Sequence, residues 1–335
     1  MTTTQRPPTS PGGDFHLGGD LPVRRLGYGC MQLTGPGHWD YPTDPDEAQR
    51  VLRRAVDSGV NHLDTADAYG PETVEHLIRK ALHPYPADLV IATKGGFTRQ
   101  GPNRWAPVGR PEYLRQCVEM SLRRLALDRI DLYYLHRIDP QIPLEDQLGV
   151  LADLQREGKL RHLGLSQVGI EQIRQAGELV AVAAVQNKYN LDKRIFENVL
   201  RHCETTQTAF VPYAPLGSGR LLQENNTLAE LATNYRATSA QLALAWLLQH
   251  SPVMLPIPGT SSTAHLDENL VAITIQISPE DAEMISAAFP PSAPADSLPS
   301  RESTPTSPSA GSTSPTLTST ATISRDSPST TSSTS

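Results

Sequence analysis

Residues 61–95 read NHLDTADAYGPETVEHLIRKALHPYPADLVIATKG, and the pattern in this stretch decides the fold. The short run His62–Asp64 predicts a strand, and Pro71 ahead of the amphipathic segment Glu72–Leu82 predicts the start of a helix. A second apolar run, Leu89–Thr93, predicts another strand. Strand, helix and strand in this order form a crossover unit whose two strands are parallel.

The same alternation continues on both sides of this unit. Further strands are predicted at Arg25–Gly29, Asp131–Leu135, Arg161–Leu165, Ala183–Gln186, Ala209–Val211 and Met254–Ile257. Further helices are predicted at Asp46–Ser58, Pro111–Leu125, Pro143–Glu157, Ile170–Leu179, Lys193–Cys203 and Ser239–Gln249. Eight strand–helix units in about 250 residues favour an α/β fold of the (β/α)8 or TIM-barrel kind over an open doubly wound sheet, which the pattern leaves possible.

The two ends of the chain differ in composition from its middle. Residues 1–13 are polar and Pro-rich, and residues 290–335 consist mostly of Ser, Thr, Pro and Ala, so we expect both segments to be disordered. The barrel is therefore assigned to residues 14–289. A Gly-Gly turn between two short apolar stretches predicts an N-terminal hairpin over Phe15–Val23.

Charge and cysteine content narrow the function. The net charge of -7 provides no basic surface for phosphates, so we expect a small-molecule substrate and no nucleic acid. Cys30, Cys117 and Cys203 lie too far apart for a disulfide framework or a zinc site, which indicates a reducing compartment. No apolar run approaches the roughly 20 residues of a membrane span, and residues 1–13 lack a signal-peptide pattern. We expect a cytoplasmic protein without membrane contact, either a monomer or a small homo-oligomer.

Residues suited to proton transfer stand at the ends of the predicted strands. Asp64 and Tyr69 follow the second strand, Lys94 ends the third, and His136 ends the fourth. In a barrel these ends meet at one mouth, where active sites lie. A phenol has an ordinary pKa of about 10 and is a weak acid unless a cation stabilises the phenolate, as Lys94 would do. Taken singly, each residue is also explained by capping or packing, so the prediction of a C=O reduction site rests on their combination.

The segment Asp-Thr-Ala-x-x-Tyr-Gly at residues 64–70, the strand-terminal Lys94 and the Leu-His-Arg segment at 135–137 resemble the aldo-keto reductases in order and spacing. The resemblance extends from about Leu21 to Phe289. It implies NAD(P)H-dependent reduction of an aldehyde or ketone to an alcohol, or the reverse reaction. The roles it implies are Tyr69 as general acid, Lys94 and Asp64 as the residues that tune its acidity, and His136 as the residue that orients the carbonyl.

The resemblance also implies positions for the nicotinamide cofactor. Residues expected at the carboxamide are Ser166, Gln167, which stands where Asn is more usual, and Gln186. Tyr213 is expected to stack on the nicotinamide ring, and the pyrophosphate loop is expected at Pro215, Leu216, Gly217, Ser218 and Gly219. Gly29, Cys30 and Met31 are expected to line the same mouth, with Cys30 interpreted as a buried, inert thiol rather than a reactive one.

The adenosine end is expected at Gly259, Thr260, Ser261, His265, Glu268 and Asn269. The family feature there is a Lys and an Arg that bind the 2′-phosphate, and this chain has Gly259 and His265 at those positions. Hydroxyl groups and the helix start at Thr263 still offer donors to a phosphate. We therefore expect NADP(H) as the cofactor, with NAD(H) not excluded.

The substrate and one rival function stay open on the sequence alone. Trp39, Tyr41 and Trp105 are expected to line an aromatic substrate pocket suited to a flat or apolar carbonyl compound. The segments 26–37 and 81–86 resemble a subgroup of bacterial reductases that includes pyridoxal reductases, and a keto intermediate of a biosynthetic pathway is the rival substrate. The alternative function is a nicotinamide-binding subunit that senses redox state or regulates a partner. No metal site is expected.

Overall fold

The strands form one curled parallel sheet and two hairpins. The computed structural model describes residues 12–217 and 226–290. In chain order the strands are β1 (Asp14–Leu17), β2 (Leu21–Arg24), β3 (Tyr28–Gly29), β4 (His62–Asp64), β5 (Val90–Gly95), β6 (Phe97–Arg99), β7 (Trp105–Pro107), β8 (Ile130–Leu135), β9 (Leu160–Ser166), β10 (Val182–Gln186) and β11 (Ala209–Phe210). The seven-stranded sheet has the order β11-β10-β9-β8-β5-β4-β3, while β1 pairs with β2 and β6 pairs with β7 antiparallel.

The helices alternate with the strands of the sheet and cover its outer face. In chain order they are α1 (Pro45–Asp57), α2 (Thr73–Leu82), α3 (Pro111–Leu125), α4 (Leu144–Arg156), α5 (Ile170–Gly177), α6 (Glu197–Thr206), α7 (Asn226–Asn234), α8 (Ser239–His250), α9 (Thr263–Val271) and α10 (Pro279–Ala288). Local chemistry explains their starts: Asp44 caps α1 by accepting from two backbone N–H groups, and Pro111 occupies the first turn of α3. The sequence pattern did not indicate α7 and α10, because both are short and mix small and polar residues.

The eighth side of the barrel is formed by residues 253–259 without a regular strand. Its hydrogen bonds to both neighbours are Leu255 N to Phe210 O (2.8 Å), Gly27 N to Pro256 O (2.9 Å) and Gly29 N to Pro258 O (3.3 Å). Pro256 and Pro258 have no N–H to donate, so the strand expected at Met254–Ile257 is reduced to an isolated bridge at Met254. The segment nevertheless joins β11 to β3, and the predicted (β/α)8 fold is confirmed.

The predicted N-terminal hairpin is present, and it closes the amino-terminal end of the barrel. Gly18 and Gly19 form its turn with φ values of +59° and +87°, which glycine adopts without strain. Leu17, Leu21 and Val23 then pack against residues of the barrel interior. The interior partners include Val90, Leu132, Tyr134, Ala184, Ala209 and Leu255. This apolar plug leaves the carboxyl ends of the strands as the open face.

The predicted terminal segments lie largely outside the described residues, namely residues 1–11 and 291–335. Gly12 is described, and its carbonyl oxygen accepts a hydrogen bond from Arg25 Nη1 at 3.2 Å. Cys30, Cys117 and Cys203 are all buried free thiols. Among the described residues, no helix combines the length and apolar character needed to cross a bilayer.

The space around two glycines predicts opposite effects of an alanine substitution on stability. A Cβ atom on Gly164 of β9 would lie 2.5 Å from two ring carbons of Tyr134, whereas a Cβ atom on Gly149 of α4 would meet no atom within 4 Å. We expect Gly164→Ala to lower the free energy of unfolding by about 1–3 kcal/mol through overpacking. Gly149→Ala, the matched control, should raise it by about 0.5–1 kcal/mol because alanine favours the helix.

Urea denaturation of both variants and the parent protein measures this difference. Equal stability of Gly164→Ala and the parent protein would show that the Tyr134 ring moves aside without cost.

Candidate active site

A buried ion pair lies at the centre of the open face. Parallel pairing of β4 with β5 brings the ends of the two strands together, and Lys94 Nζ lies 2.5 Å from Asp64 Oδ1. Both side chains are almost fully buried, at 0% and 2% exposure. Thr65 O accepts from Lys94 Nζ at 2.8 Å, and Gln186 Nε2 donates to Asp64 Oδ2 at 2.7 Å. The pair therefore has the additional hydrogen bonds that buried charges require.

Tyr69 lies next to this pair, as the sequence predicts. Its hydroxyl group is 3.4 Å from Lys94 Nζ, and only 6% of the residue is exposed. Burial raises the pKa of Tyr69, and the nearby Lys94 charge opposes that shift. Burial by itself would lower the pKa of Lys94, but the Asp64 carboxylate and the Tyr69 hydroxyl raise it above its ordinary value. At neutral pH the arrangement thus holds a protonated phenol beside a permanent ammonium ion.

His136 completes the predicted set of four residues. Its ring centroid lies 6.0 Å from that of Tyr69 in an edge-on arrangement. Burial, together with the charges of Lys94, Arg137 and Arg99, lowers the pKa of His136 well below its ordinary value, so its ring is neutral. The ring forms no hydrogen bond with any described residue, and its Nδ1 atom is buried without a partner there. The imidazole can therefore bind an oxygen atom of a ligand.

An aromatic wall flanks Tyr69 and His136. The Trp105 ring centroid lies 6.5 Å from both of these rings, and the Phe97 centroid lies 4.6 Å from that of His136. Trp39, one of the predicted pocket residues, also lies near Arg99, whose guanidinium carbon is 5.6 Å from the centroid of the Trp39 ring. Tyr41 is 48% exposed and lines a surface groove with residues of α2 instead.

The hairpin β6–β7 supplies two residues that the sequence analysis missed, Phe97 and Arg99. Arg99 stacks on Trp105, with 3.5 Å between its guanidinium carbon and the ring centroid. The Gly101-Pro102-Asn103 turn is a signal from which this hairpin could have been predicted. Arg137 is the third missed residue, and Nη1 of its side chain donates to Ser166 Oγ at 2.9 Å.

The predicted nicotinamide positions form a polar ledge beside this set. Ser166 and Gln186 are register partners at the ends of β9 and β10. Gln167 follows with a φ of +60°, and its Oε1 atom accepts a hydrogen bond from Tyr213 Oη at 2.9 Å. The structure thus places an aromatic ring next to hydroxyl and amide groups, a donor set that matches a carboxamide.

The predicted pyrophosphate loop is described only in part. Pro215, Leu216 and Gly217 follow Tyr213 and lie within the described residues, whereas Ser218 and Gly219 lie outside them. On the other side of the mouth, Met31 is partly buried and Cys30 is fully buried. Burial raises the pKa of the Cys30 thiol far above its ordinary value, which makes it inert at neutral pH.

At the predicted adenosine end, backbone packing explains the missing lysine. A Cβ atom on Gly259 would lie 2.6 Å from Gly29 O, and a Cβ atom on Gly29 would lie 2.6 Å from Ile257 O. These close approaches come from the segment that closes the barrel against β3. A side chain at position 259 would force the two backbones apart, so no cation can stand there without a change in the barrel.

The N-terminus of α9 holds the remaining predicted adenosine contacts. Ser262 caps the helix by accepting from His265 N at 3.4 Å, while the side chains of His265 and Glu268 are exposed and Asn269 is buried. The N–H and the hydroxyl group of Thr263 both point to Glu47 Oε1 at 3.4 Å. A carboxylate of α1 therefore lies at the end of the helix that favours an anion.

The fold and the strand-end residues together define a barrel-type oxidoreductase. The sequence model described as "Aldo/keto reductase family" matches residues 25–289. The chain therefore belongs to the aldo/keto reductase family, and it is an NADP(H)-dependent oxidoreductase.

Individual relatives agree with this assignment. The chain is 43% identical over 268 residues to pyridoxine 4-dehydrogenase of Escherichia coli K12, covering 78% of this chain and 93% of the relative. It is 48% identical over 262 residues to an uncharacterized oxidoreductase of Schizosaccharomyces pombe, covering 78% and 85%. A thermostable aldo-keto reductase solved with the inhibitor epalrestat superimposes with a TM-score of 0.74 at 31% identity, over 82% of this chain and 99% of that one. An aldo-keto reductase of Klebsiella pneumoniae in complex with NADPH gives 0.72 at 26% identity, over 87% and 97%.

A buried histidine below the ion pair predicts a pH-dependent stability. Burial lowers the pKa of His62 to about 4, and both ring nitrogens lack partners among the described residues. The unfolded chain, with a His pKa of about 6.5, binds more protons than the folded chain between these two values, so stability falls as the pH falls through that window. When the pH falls from about 7 to about 5, the free energy of unfolding should therefore drop by about 2 kcal/mol more in the parent protein than in His62→Leu.

Urea denaturation at both pH values tests this expectation, with the exposed His76→Gln as the control. Equal acid sensitivity of His62→Leu and the parent protein would show that His62 does not carry the effect.

Proposed function

We propose that the enzyme reduces the aldehyde group of a small aromatic carbonyl compound with NADPH, and that pyridoxal is the first candidate substrate. The observation that carries this proposal is the buried chain from Asp64 through Lys94 to the Tyr69 hydroxyl, at the open face of the barrel. The similarity to pyridoxine 4-dehydrogenase supports the substrate class. The wall formed by Phe97 and Trp105 suits a flat ring.

In this proposal Tyr69 is the general acid. It donates its proton to the carbonyl oxygen, and Lys94 stabilises the phenolate that remains. Asp64 keeps Lys94 charged and fixes its position. His136, as a neutral ring, donates one hydrogen bond to the same oxygen and so orients the carbonyl group. In the reverse direction the Tyr69 phenolate accepts the proton of the alcohol.

The residues of the polar ledge fit the nicotinamide cofactor by their chemistry. Ser166, Gln167 and Gln186 offer donors and acceptors that complement a carboxamide, and Tyr213 offers an aromatic face. When bound, the cofactor supplies the hydride. The ledge and the Tyr69 hydroxyl group lie at the same open face. A cofactor held at the ledge and the proton of Tyr69 could therefore both reach one carbonyl group.

The rival function, a redox-sensing or regulatory subunit, places no demand on the tyrosine. A sensor needs the nicotinamide ledge but no proton donor, whereas here Lys94 and Asp64 are buried at the cost of desolvation beside Tyr69. This arrangement favours turnover over sensing.

The proposal is tested by following the nicotinamide absorbance of the purified full chain with NADPH or NADH and a panel of carbonyl compounds. Turnover that depends on pyridoxal and prefers NADPH supports the proposal. Turnover only with a ketone identifies the rival substrate, and tight NADPH binding without any turnover supports the sensor.

We expect Tyr69→Phe to lower kcat/KM at least about 100-fold in this assay, because the general acid is lost. The Kd of NADPH should change little, since the phenol is not part of the nicotinamide ledge. Tyr85→Phe is the matched control, because among the described residues the Tyr85 hydroxyl group donates only to Leu125 O at the end of α3, at 2.7 Å. Unchanged activity of Tyr69→Phe would refute the mechanism.

The carboxylate at the start of α9 yields a prediction about cofactor preference. If the 2′-phosphate of NADPH binds at this helix start, Glu47 repels it, and Glu47→Gln should tighten NADPH binding relative to NADH. The expected change in the ratio of the two Kd values is about twofold to fivefold at low salt, as for a charge at a helix end. Fluorescence titration with both cofactors measures the ratio, and Glu204→Gln at the end of α6 is the control. An unchanged ratio would place the 2′-phosphate elsewhere.

A further inference from the structure

Three cations, Lys94, Arg99 and Arg137, lie at the mouth of the barrel, and they differ in their partners. Lys94 has Asp64 as its partner. Arg99 and Arg137, by contrast, form no ion pair with any carboxylate of the described residues. Their charges still reach the site, because both help to lower the pKa of His136. A chain with a net charge of -7 thus concentrates positive charge where its substrate binds.

Arg99 uses its donors to hold the surrounding loops together. Its three nitrogen atoms donate to backbone carbonyl oxygens of the loop after β3, of the loop after β4 and of its own β6–β7 hairpin. These acceptors are Arg104 O (3.1 Å), His38 O (2.9 Å), Ala68 O (2.5 Å), Gly37 O (3.2 Å) and Gly101 O (3.5 Å). The guanidinium also stacks against Trp105. All three nitrogen atoms of Arg99 are therefore used in hydrogen bonds within the protein, and none is left to bind a ligand.

Only one nitrogen atom of the Arg137 side chain forms hydrogen bonds with the described residues. Its Nη1 atom donates to His136 O at 2.6 Å and to Ser166 Oγ at 2.9 Å. Its Nε and Nη2 atoms have no partner among the described residues. The guanidinium carbon lies 5.6 Å from the ring centroid of Phe97 and 6.0 Å from that of Tyr213. The partly buried cation thus stands between the aromatic wall and the nicotinamide ledge, with unused donors.

A partly buried guanidinium with unused donors favours a ligand that carries negative charge. Planar guanidinium groups bind carboxylate and phosphate oxygens with two parallel hydrogen bonds, and such bonds are stronger than those between neutral groups. The nearest protein acceptors, His136 O and Ser166 Oγ, are both neutral. An anionic oxygen would satisfy the free donors and offset the positive charge beside His136.

The geometry points to Arg137 as a specificity-determining residue that binds an anionic group of the substrate, such as a carboxylate, phosphate or phenolate near the reacting carbonyl. This inference rests on the proposed function, because it adds the charge of the substrate to the reaction proposed above. Arg137 selects the substrate, while Tyr69 and His136 act on its carbonyl group.

The test compares two aldehydes that differ in charge, 4-carboxybenzaldehyde and methyl 4-formylbenzoate. For the parent protein, Arg137→Met, Arg137→Lys and the control Arg156→Met, kcat/KM is measured with both aldehydes at saturating NADPH. Arg156 is a suitable control because it is a largely exposed residue at the end of α4, away from the strand carboxyl ends. We expect the ratio of kcat/KM for the anionic to the neutral aldehyde to fall about tenfold or more in Arg137→Met, as for loss of a hydrogen bond to a charged group.

Arg137→Lys, which keeps the charge but loses the planar fork, should give an intermediate ratio, and Arg156→Met should match the parent protein. The preference of the parent protein should weaken with added salt, because a partly exposed charge contact is screened. The 2- and 3-carboxybenzaldehyde isomers then locate the preferred position of the anionic group.

Several outcomes would overturn the inference. An unchanged ratio in Arg137→Met with lower rates for both aldehydes would mean that Arg137 only positions Ser166 and His136. A weaker Kd for NADPH with an unchanged ratio would assign Arg137 to the cofactor. In both cases the parent protein still reduces aldehydes, so the proposed function stands. Absence of reduction of any aldehyde by the parent protein would refute the proposed function itself.

Discussion

The ion pair between Lys94 and Asp64 is the interaction on which the site depends. An ammonium group at 0% exposure is stable only beside a compensating charge, and the adjacent end of β4 supplies it at 2.5 Å. Pairing of the two strands fixes the separation of the charges, and Gln186 from β10 occupies the second carboxylate oxygen. Three strand ends are therefore held in one arrangement by a single pair of charges. Removal of either partner would leave the other buried and uncompensated, with a cost to stability as well as to chemistry.

Burial and the charge of Lys94 together set the protonation states of the two neighbouring side chains. Tyr69 and His136 are both buried near Lys94, whose charge lowers the pKa of both groups, whereas burial raises the pKa of Tyr69 and lowers that of His136. For Tyr69 the charge offsets part of the rise in pKa caused by burial, because it stabilises the phenolate. For His136 it adds to burial, and the pKa falls further. The site therefore holds one protonated phenol and one neutral imidazole over the same pH range, so that both can donate a hydrogen bond to a single oxygen.

The sequence predicts the strand-end residues well and the loops poorly, for a physical reason. Asp64, Lys94 and His136 follow short apolar runs, and in a parallel barrel such positions are brought together by the hydrogen-bonded ladder. Residues in loops obey no such rule: Tyr41 is 48% exposed and lines a surface groove with residues of α2, while Phe97 comes next to His136 through a hairpin that no hydrophobic alternation indicates. The prediction of a regular eighth strand was wrong, because the prolines of this segment remove backbone N–H donors from the ladder. Their carbonyl oxygens still accept the hydrogen bonds that close the barrel.

The segment that closes the barrel also contains part of the predicted adenosine end. The close contact between Gly259 and Gly29 O, which seals the sheet, leaves no room for a side chain at the position where the family feature is a lysine. If the adenosine end of the cofactor lies here, as the sequence predicts, its recognition would fall to neutral groups, the hydroxyl and N–H groups at the start of α9, with a carboxylate from α1 close by. Neutral donors distinguish a phosphate from a hydroxyl group less sharply than a cation does, because only the cation gains a full Coulomb attraction. With the adenosine end at this position, the packing of two backbones would limit how strictly the enzyme selects between the two dinucleotides.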